Sequence, residues 1–334
     1  MADFSLSIRV WYRQNGRKLP WRSTSNPYFI WLSEVILQQT RVDQGMNYYL
    51  KFISHYPSVN DLANASEEQV LNDWQGLGYY SRARNLHATA RQIQQDLNGI
   101  FPDNYLDLIK LKGIGPYSAS AISSFAFNEK KAVVDGNVYR VLSRAFNIST
   151  PIDSTSGKKE FQAIADELIS DENPGEHNQA IMELGALICT PKSPSCEECP
   201  VMHMCESFNK KNQDERPVKQ KTTKTRNRYF HYIVYHWDNR IILRQRTEKD
   251  IWKNMYEFPL IETASEDSPK ELLKADEISK LFKHVLSHQK LYVRFYSYHF
   301  QPSEINNDWR IFTLEELEDI PLPRLIDRYL EEMI

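Results

Sequence analysis

The sequence predicts a multidomain chain: a mostly α-helical part over residues 1–208, a basic linker over 209–228, and a smaller α+β domain over 229–334. Three observations carry this reading. Helix-compatible apolar spacing dominates up to about residue 205. The stretch 209–228 (NKKNQDERPVKQKTTKTRNR) has no aromatic and one aliphatic side chain, so it cannot bury a core and reads as exposed. Beyond it, aromatic and β-branched runs with partial alternation bring strand signal, in a piece of ordinary domain size.

Pro27 followed by YFIWLSEVIL predicts a helix entered just after a proline, with Ile30, Val35, Ile36 and Leu37 on its apolar face. Ser66-x-x-Gln69 ahead of Val70 and Leu71 fits a capping box. Residues 106–111 and 118–127 read as two short helices around Gly113 and Gly115, and 138–146 and 161–169 as further amphipathic helices. In the second part, 229–237, 240–245 and 290–300 read as strands, and 268–280 and 314–318 as helix. No repeat with a solenoid period is present.

Composition excludes several classes. No apolar run approaches the ~20 residues needed to span a bilayer, so no membrane association is expected. The start, MADFSLSIRVWYRQ, lacks a basic segment followed by an apolar one, which argues against a secretory signal and for the cytoplasm. Four cysteines in 334 residues are too few for a disulfide scaffold. The net charge of −3 hides an asymmetry: residues 1–150 carry 16 basic and 12 acidic side chains, 151–208 carry 3 and 11, and 209–228 carry 8 and 2. A basic first part and connector could meet a polyanion, although charge alone favours an ordinary solvated surface.

Chemistry is concentrated at three places. Cys189, Cys196, Cys199 and Cys205 fall within 17 positions, spaced C-x6-C-x2-C-x5-C. Such clustering matches either an all-thiolate zinc site or a [4Fe–4S] cluster. A structural zinc site pairs two C-x2-C knuckles and only one is present, so iron–sulfur is favoured. Gly113-Ile114-Gly115-Pro116 lies between two predicted helices. Glycines two apart let backbone approach a ligand closely, and the N–H groups opening the second helix point at an anion such as a DNA phosphate. A lone G-x-G turn is more often a tight connection. Asp135 stands where a helix N-cap would, after an apolar lead-in. Glu34, among apolar neighbours, is either on the polar stripe of a helix or held in a pocket with a raised pKa; taken alone, the stripe is favoured. Two carboxylates brought together suit N-glycosidic cleavage, one protonating the leaving base and one stabilising the cationic sugar.

Together the motifs RKLPWR at 17–22, SEVILQQTRV at 33–42, WQGLGYYSRARNLH at 74–87, the glycine hairpin, VDGNV at 134–138, NQAIMELGALIC at 178–189 and the cysteine spacing resemble the adenine DNA glycosylases of the endonuclease III, helix-hairpin-helix superfamily. The resemblance is dense over 9–206 and looser over 226–334, which is similar to the family's Nudix-like recognition domain. It implies a helix-hairpin-helix glycosylase part with an iron–sulfur loop, and base-excision repair of adenine mispaired with 8-oxoguanine or guanine in double-stranded DNA, by a monomer at the nucleoid.

Residue by residue, the resemblance makes Glu34 the catalytic acid and Asp135 the carboxylate that balances the sugar cation, with Tyr117 and Asn137 supporting them. Trp21 and Arg22 would line the base pocket, and Gln39, Thr40 and Tyr79 would enter the base stack. Related lyases carry a Schiff-base lysine where this chain has Tyr117, so strand cleavage should be weak or absent. Leu286, Ser287 and His288 fall where the family has Phe-Ser-His, which places 8-oxoguanine recognition there; Leu286 replaces the aromatic. The region 252–259 (WKNMYEFP) resembles the family's W-x-F-P region, and no acidic Nudix box is visible, so no Mg-dependent pyrophosphatase chemistry is expected. The readings set against this one are a thymine- or uracil-mismatch glycosylase or lyase of the same superfamily, and a non-catalytic iron–sulfur DNA-binding or redox-sensing protein.

Overall fold

The computed structural model describes residues 2–220 and 225–333. Contacts divide the chain into two units, Met1–Ala63 with Ala88–Lys221, and Asn64–His87 with Thr222–Ile334. Helices α1 (Ala2–Asn15), α2 (Pro27–Ile36), α3 (Val42–His55) and α4 (Val59–Asn64) precede α5 (Glu67–Asp73) and α6 (Ser81–Leu97). Next come α7 (Tyr105–Leu108), α8 (Pro116–Phe127), α9 (Gly136–Ala145), α10 (Thr155–Leu168), α11 (Pro174–Leu187) and α12 (Glu206–Asn209).

Local chemistry explains the starts. Asn26 caps α2 by accepting from Tyr28 N, with Pro27 at the first helical position. Ser66 and Gln69 form the capping box of α5 in both directions. Asp135 caps α9. Helix α2 has no polar stripe: Tyr28 and Ile30 to Ile36 are all buried, Glu34 among them. A helix buried all round carries no face for solvent, so the pocket reading of Glu34 is the one that holds. The helix expected at 106–111 is shorter than its pattern and ends at Leu108, because the chain must turn through Gly113, whose φ of 82° suits a residue without Cβ. Phe4 and Ile8 of α1, Val138, Val141 and Leu142 of α9, Phe161 of α10 and Ile181 and Leu184 of α11 build one core beneath the cysteine loop.

The second unit is a mixed sheet. Among the described residues its strands are β1 (Arg226–Trp237), β2 (Arg240–Gln245), β3 (Tyr256–Glu257), β4 (Leu260–Thr263), β5 (Glu277–Ile278), β6 (Phe282–Val285), β7 (Gln289–Tyr298) and β8 (Trp309–Thr313), followed by helix α13 (Arg324–Met333). The long β1 pairs in parallel with β7 from Arg226↔Gln289 to Tyr235↔Tyr298, and antiparallel with β2 and β4. Residues 268–280 are not the expected helix. A 3-10 turn spans Lys270–Lys274, and Asp276 N and Ser279 N then donate to Ser297 O and Phe295 O, so pairing with β7 overrides local helix propensity. Residues 314–318 likewise form a 3-10 turn, Glu315–Asp319. Strand β1 opens at Arg226, inside the polar stretch expected as linker, and that stretch is tied at Ile152 N to Val218 O, 3.0 Å; residues 221–224 lie outside the described residues. Residues 64–87 join this unit through side chains: Asn72 Nδ2 donates to Glu318 O at 2.8 Å and Leu322 N to Gln75 Oε1 at 3.1 Å. No helix among the described residues is long and apolar enough to cross a membrane.

Candidate active site

In the first unit, three elements bring titratable groups to one cavity of about 1090 Å³. Helix α2 carries Glu34, the start of α8 carries Tyr117, and the cap of α9 is Asp135. Glu34 is 8% exposed, and its Oε2 accepts from the Tyr117 hydroxyl at 2.6 Å. Burial pushes the Glu34 carboxyl up to about 7; the Tyr117 hydroxyl opposes the rise, the charge of Asp135 adds to it, and Arg22 opposes it. Burial also holds the Tyr117 phenol well above its ordinary range, with Glu34 and Asp135 adding to the effect, so it stays a neutral donor.

Asp135 is differently placed. Its Oδ1 accepts from Asn137 N at 2.9 Å and Val138 N at 2.8 Å, and Oδ2 from Asn137 Nδ2 at 2.8 Å. Burial outweighs these N–H donors and Arg140 and leaves the Asp135 carboxyl above its ordinary range, with the donors limiting the rise. Three donors on a carboxylate favour its charged form, whereas Glu34 has one hydroxyl. The two carboxyls thus differ in their donors, three N–H groups on Asp135 and one hydroxyl on Glu34.

The supporting residues come from far along the chain. Glu183 on α11 accepts from Arg17 Nε and Nη2 at 2.8 and 2.7 Å and from Arg22 Nη2 at 2.7 Å. Burial would raise the Glu183 carboxyl, but these donors outweigh it and hold it at about 2. The pair fixes Arg22 at the cavity, with its guanidinium 5.5 Å from the Tyr12 ring centre. Trp21, buried edge-on against Tyr49 with ring centres 5.0 Å apart, lines the same cavity. Arg140 donates to Asn137 Oδ1 at 2.8 Å, to Gly185 O at 2.7 Å and to Cys189 O at 2.6 Å. A Cβ on Gly185 would stand 2.7 Å from Asn137 Cβ, so α11 approaches this closely only with glycine there. Glu183, Arg140 and Gly185 escaped sequence reasoning as site residues; the one available signal was a lone acid in the apolar run AIMELGALI.

The remaining expected residues separate into groups. Gln39 and Thr40 lie in the turn after α2 and line the Glu34 cavity. Gly113 and Gly115 do not line it. They form the α7–α8 turn, where Ile114 N donates to Leu111 O at 3.1 Å and a Cβ on Gly115 would meet nothing within 4 Å. Tyr79 belongs to the second unit, where its hydroxyl hydrogen-bonds Ser287 Oγ. Ser287 and His288 are the exposed tip of the β6–β7 hairpin, closed by Leu286 N to Gln289 O at 2.8 Å. Leu286 is half-buried beside a cavity of about 530 Å³ shared with Tyr79, Trp252 and His284. Gln39 and Tyr79 are both non-glycine residues at positive φ, 57° and 47°. Such strain, of order 1–3 kcal/mol, is kept mainly at functional loops.

The four cysteines line one small cavity with Ile188, Met202 and Phe208. Among the described residues no group of three or more His, Cys, Asp or Glu closes round a single ion. Thiolate donors spread round one largely apolar cavity fit an iron–sulfur cluster, whose ligands stand further apart than those of one zinc ion.

Residues 189–205 match the iron-sulfur binding domain of endonuclease III, residues 32–170 the HhH-GPD superfamily of base excision DNA repair proteins, and residues 231–332 the NUDIX domain. An adenine DNA glycosylase of Buchnera aphidicola subsp. Schizaphis graminum is 34% identical over 344 residues, covering 98% of each chain. The chain belongs to the adenine DNA glycosylase family. The human member is 42% identical over 224 residues, covering 64% of this chain and 41% of that one. A thermostable thymine-DNA glycosylase structure matches with a TM-score of 0.58 and 29% identity, covering 62% of this chain and 95% of that one. An endonuclease III–DNA complex at 22% identity and TM-score 0.54, covering 62% of this chain and 94% of that one, shares the fold. For this adenine DNA glycosylase family member, the match over the cysteines decides between the two metal readings: the cofactor is a [4Fe–4S] cluster.

Proposed function

We propose that the chain, as a monomer, hydrolyses the N-glycosidic bond of adenine paired with 8-oxoguanine or guanine in double-stranded DNA, without cutting the strand. The observation that carries this is the pair of unlike carboxylates in one cavity: Glu34 buried and raised to about 7, Asp135 held by three N–H donors. Extruded adenine enters the cavity past Trp21 and Arg22. Protonated Glu34 gives its proton to adenine N7, the C1′–N9 bond breaks, and its electron pair leaves with the base. Positive charge develops on the sugar and the Asp135 carboxylate balances it. Water adds to C1′ and gives a proton back to Glu34. Asn137 keeps Asp135 oriented, and Tyr117 keeps Glu34 oriented while offering no amine for an imine.

Gln39, Thr40 and Tyr79 are the side chains that fill the stack, a reading supported by the positive φ of Gln39 and Tyr79. The α7–α8 turn offers open backbone to a phosphate. Ser287 and His288 read the lesion from the hairpin tip, with Leu286 as a smaller apolar contact. Cys189, Cys196, Cys199 and Cys205 would hold the cluster, in a cavity separate from that of Glu34 and Asp135.

Single-turnover assays of the full chain on duplexes with A:8-oxoG, A:G, T:G and U:G pairs, developed with and without alkali, test this. Release from the two adenine duplexes, with strands intact until alkali, is expected. Faster release of thymine or uracil, or nicking without alkali, would replace it with a mismatch glycosylase or lyase.

A further inference from the structure

The last turn of α9 carries Arg144, 2% exposed. Its Nη1 donates to Cys189 Sγ at 3.4 Å and to Thr190 O at 2.7 Å, Nη2 donates to Pro191 O at 3.2 Å, and Nε donates to Gln213 O at 2.9 Å. One guanidinium thus ties the chain just after Cys189 to the chain beyond Cys205, with a thiolate ligand in its grasp. Among the described residues its hydrogen-bond partners are carbonyls and a sulfur, with no carboxylate to neutralise it.

We propose that Arg144 is a cluster-tuning residue: its charge and its N–H donated to Cys189 Sγ raise the cluster's reduction potential and protect it from one-electron loss to an outer-sphere oxidant. The physical basis is general. Hydrogen bonds to ligand sulfur and nearby positive charge stabilise the more electron-rich state of an iron–sulfur centre, and a buried guanidinium acts there with little solvent screening. The fork geometry matters because an ammonium reaching the sulfur could not also hold Thr190 O, Pro191 O and Gln213 O. Tuning differs from clamping: a residue that only fastened the loop would leave the potential of a fully loaded protein unchanged.

The test is a potentiometric titration of the full-length holoprotein with ferricyanide and mediators, followed by EPR and preceded by iron analysis. Arg144→Gln should make loss of one electron at least about tenfold more favourable, which is a midpoint about 59 mV lower for a one-electron couple. Arg144→Lys should shift it the same way by less. An unchanged potential in either variant that keeps its iron would overturn the proposal. Should neither variant keep iron, wild-type protein labelled with ¹⁵N-guanidino arginine decides: pulsed EPR of the oxidised cluster is expected to show a ¹⁵N coupling, and none would sink the idea.

Discussion

Replacing Glu34 by glutamine keeps shape and removes only ionisation, so its consequences can be worked from the site. The carboxyl sits at about 7 where the ordinary value is 4.5, because burial disfavours its charge. At ~1.4 kcal/mol per unit, an ionised Glu34 costs the folded state about 3 kcal/mol. The sign follows from a folded pKa above the unfolded one. The protonated form is favoured in the fold, that contribution is fully present below 4.5, and it is lost as pH rises through about 7. Glu34→Gln should therefore match wild type in denaturant stability near pH 4 and exceed it by up to about 3 kcal/mol at pH 8. Catalysis should move the other way. Wild-type single-turnover excision should fall about tenfold per unit above pH 7, as the general acid loses its proton, while the variant is slower by ~10²–10⁴-fold or more with no such limb. Duplex binding should persist. A variant within a few-fold of wild type, or a wild-type profile flat from pH 6 to 9, would refute the assignment of Glu34 as acid.

Other outcomes follow from the same geometry. Asp135→Asn should reduce excision by at least ~10²-fold at neutral pH, since an amide cannot balance a cation, and kinetics under saturating enzyme checks it. Gly185→Ala should lower the rate constant for excision without weakening duplex binding, because its Cβ must displace Asn137, 2.7 Å away. Tyr117→Lys should gain an imine with the sugar, seen as borohydride trapping, and a folded, active variant that traps nothing would count against that placement. Ser287→Ala with His288→Ala should lose few-fold to about hundredfold of the preference for 8-oxoguanine over guanine, at ~1–3 kcal/mol per lost contact. Metal analysis should find about four iron per chain, and stoichiometric zinc instead would contradict the cluster.

What the amino-acid pattern discloses is local chemistry. The cysteine spacing, the G-x-G turn, the Asp135 cap and the Ser66 capping box each depend on neighbours a few residues away, and each is where its pattern puts it. Glu34 is ambiguous in the sequence for the same reason. Its immediate neighbours are apolar under either reading, and only packing over the whole of α2 shows that the helix has no solvent face. The pinning of Arg22 by Glu183 joins residues 161 apart, and the Tyr79–Ser287 bond spans 208, so neither leaves a mark within a sequence window. Long-range sheet pairing likewise turned residues 276–279 into an edge against β7. The parallel match of β1 with β7 has no local signature for that reason, whereas the spacing of Leu325, Ile326 and Leu330 along α13 is itself a local helical pattern.

Hydrolytic release of adenine can be observed directly, without inference from variants. An A:8-oxoG duplex incubated with excess protein in H₂¹⁸O and analysed by mass spectrometry reports base and sugar together. One free adenine per abasic site, ¹⁸O on C1′ of that site, and an unbroken strand are expected. Release of any other base, an abasic sugar without the label, or a cleaved strand in place of the abasic product would contradict the hydrolysis.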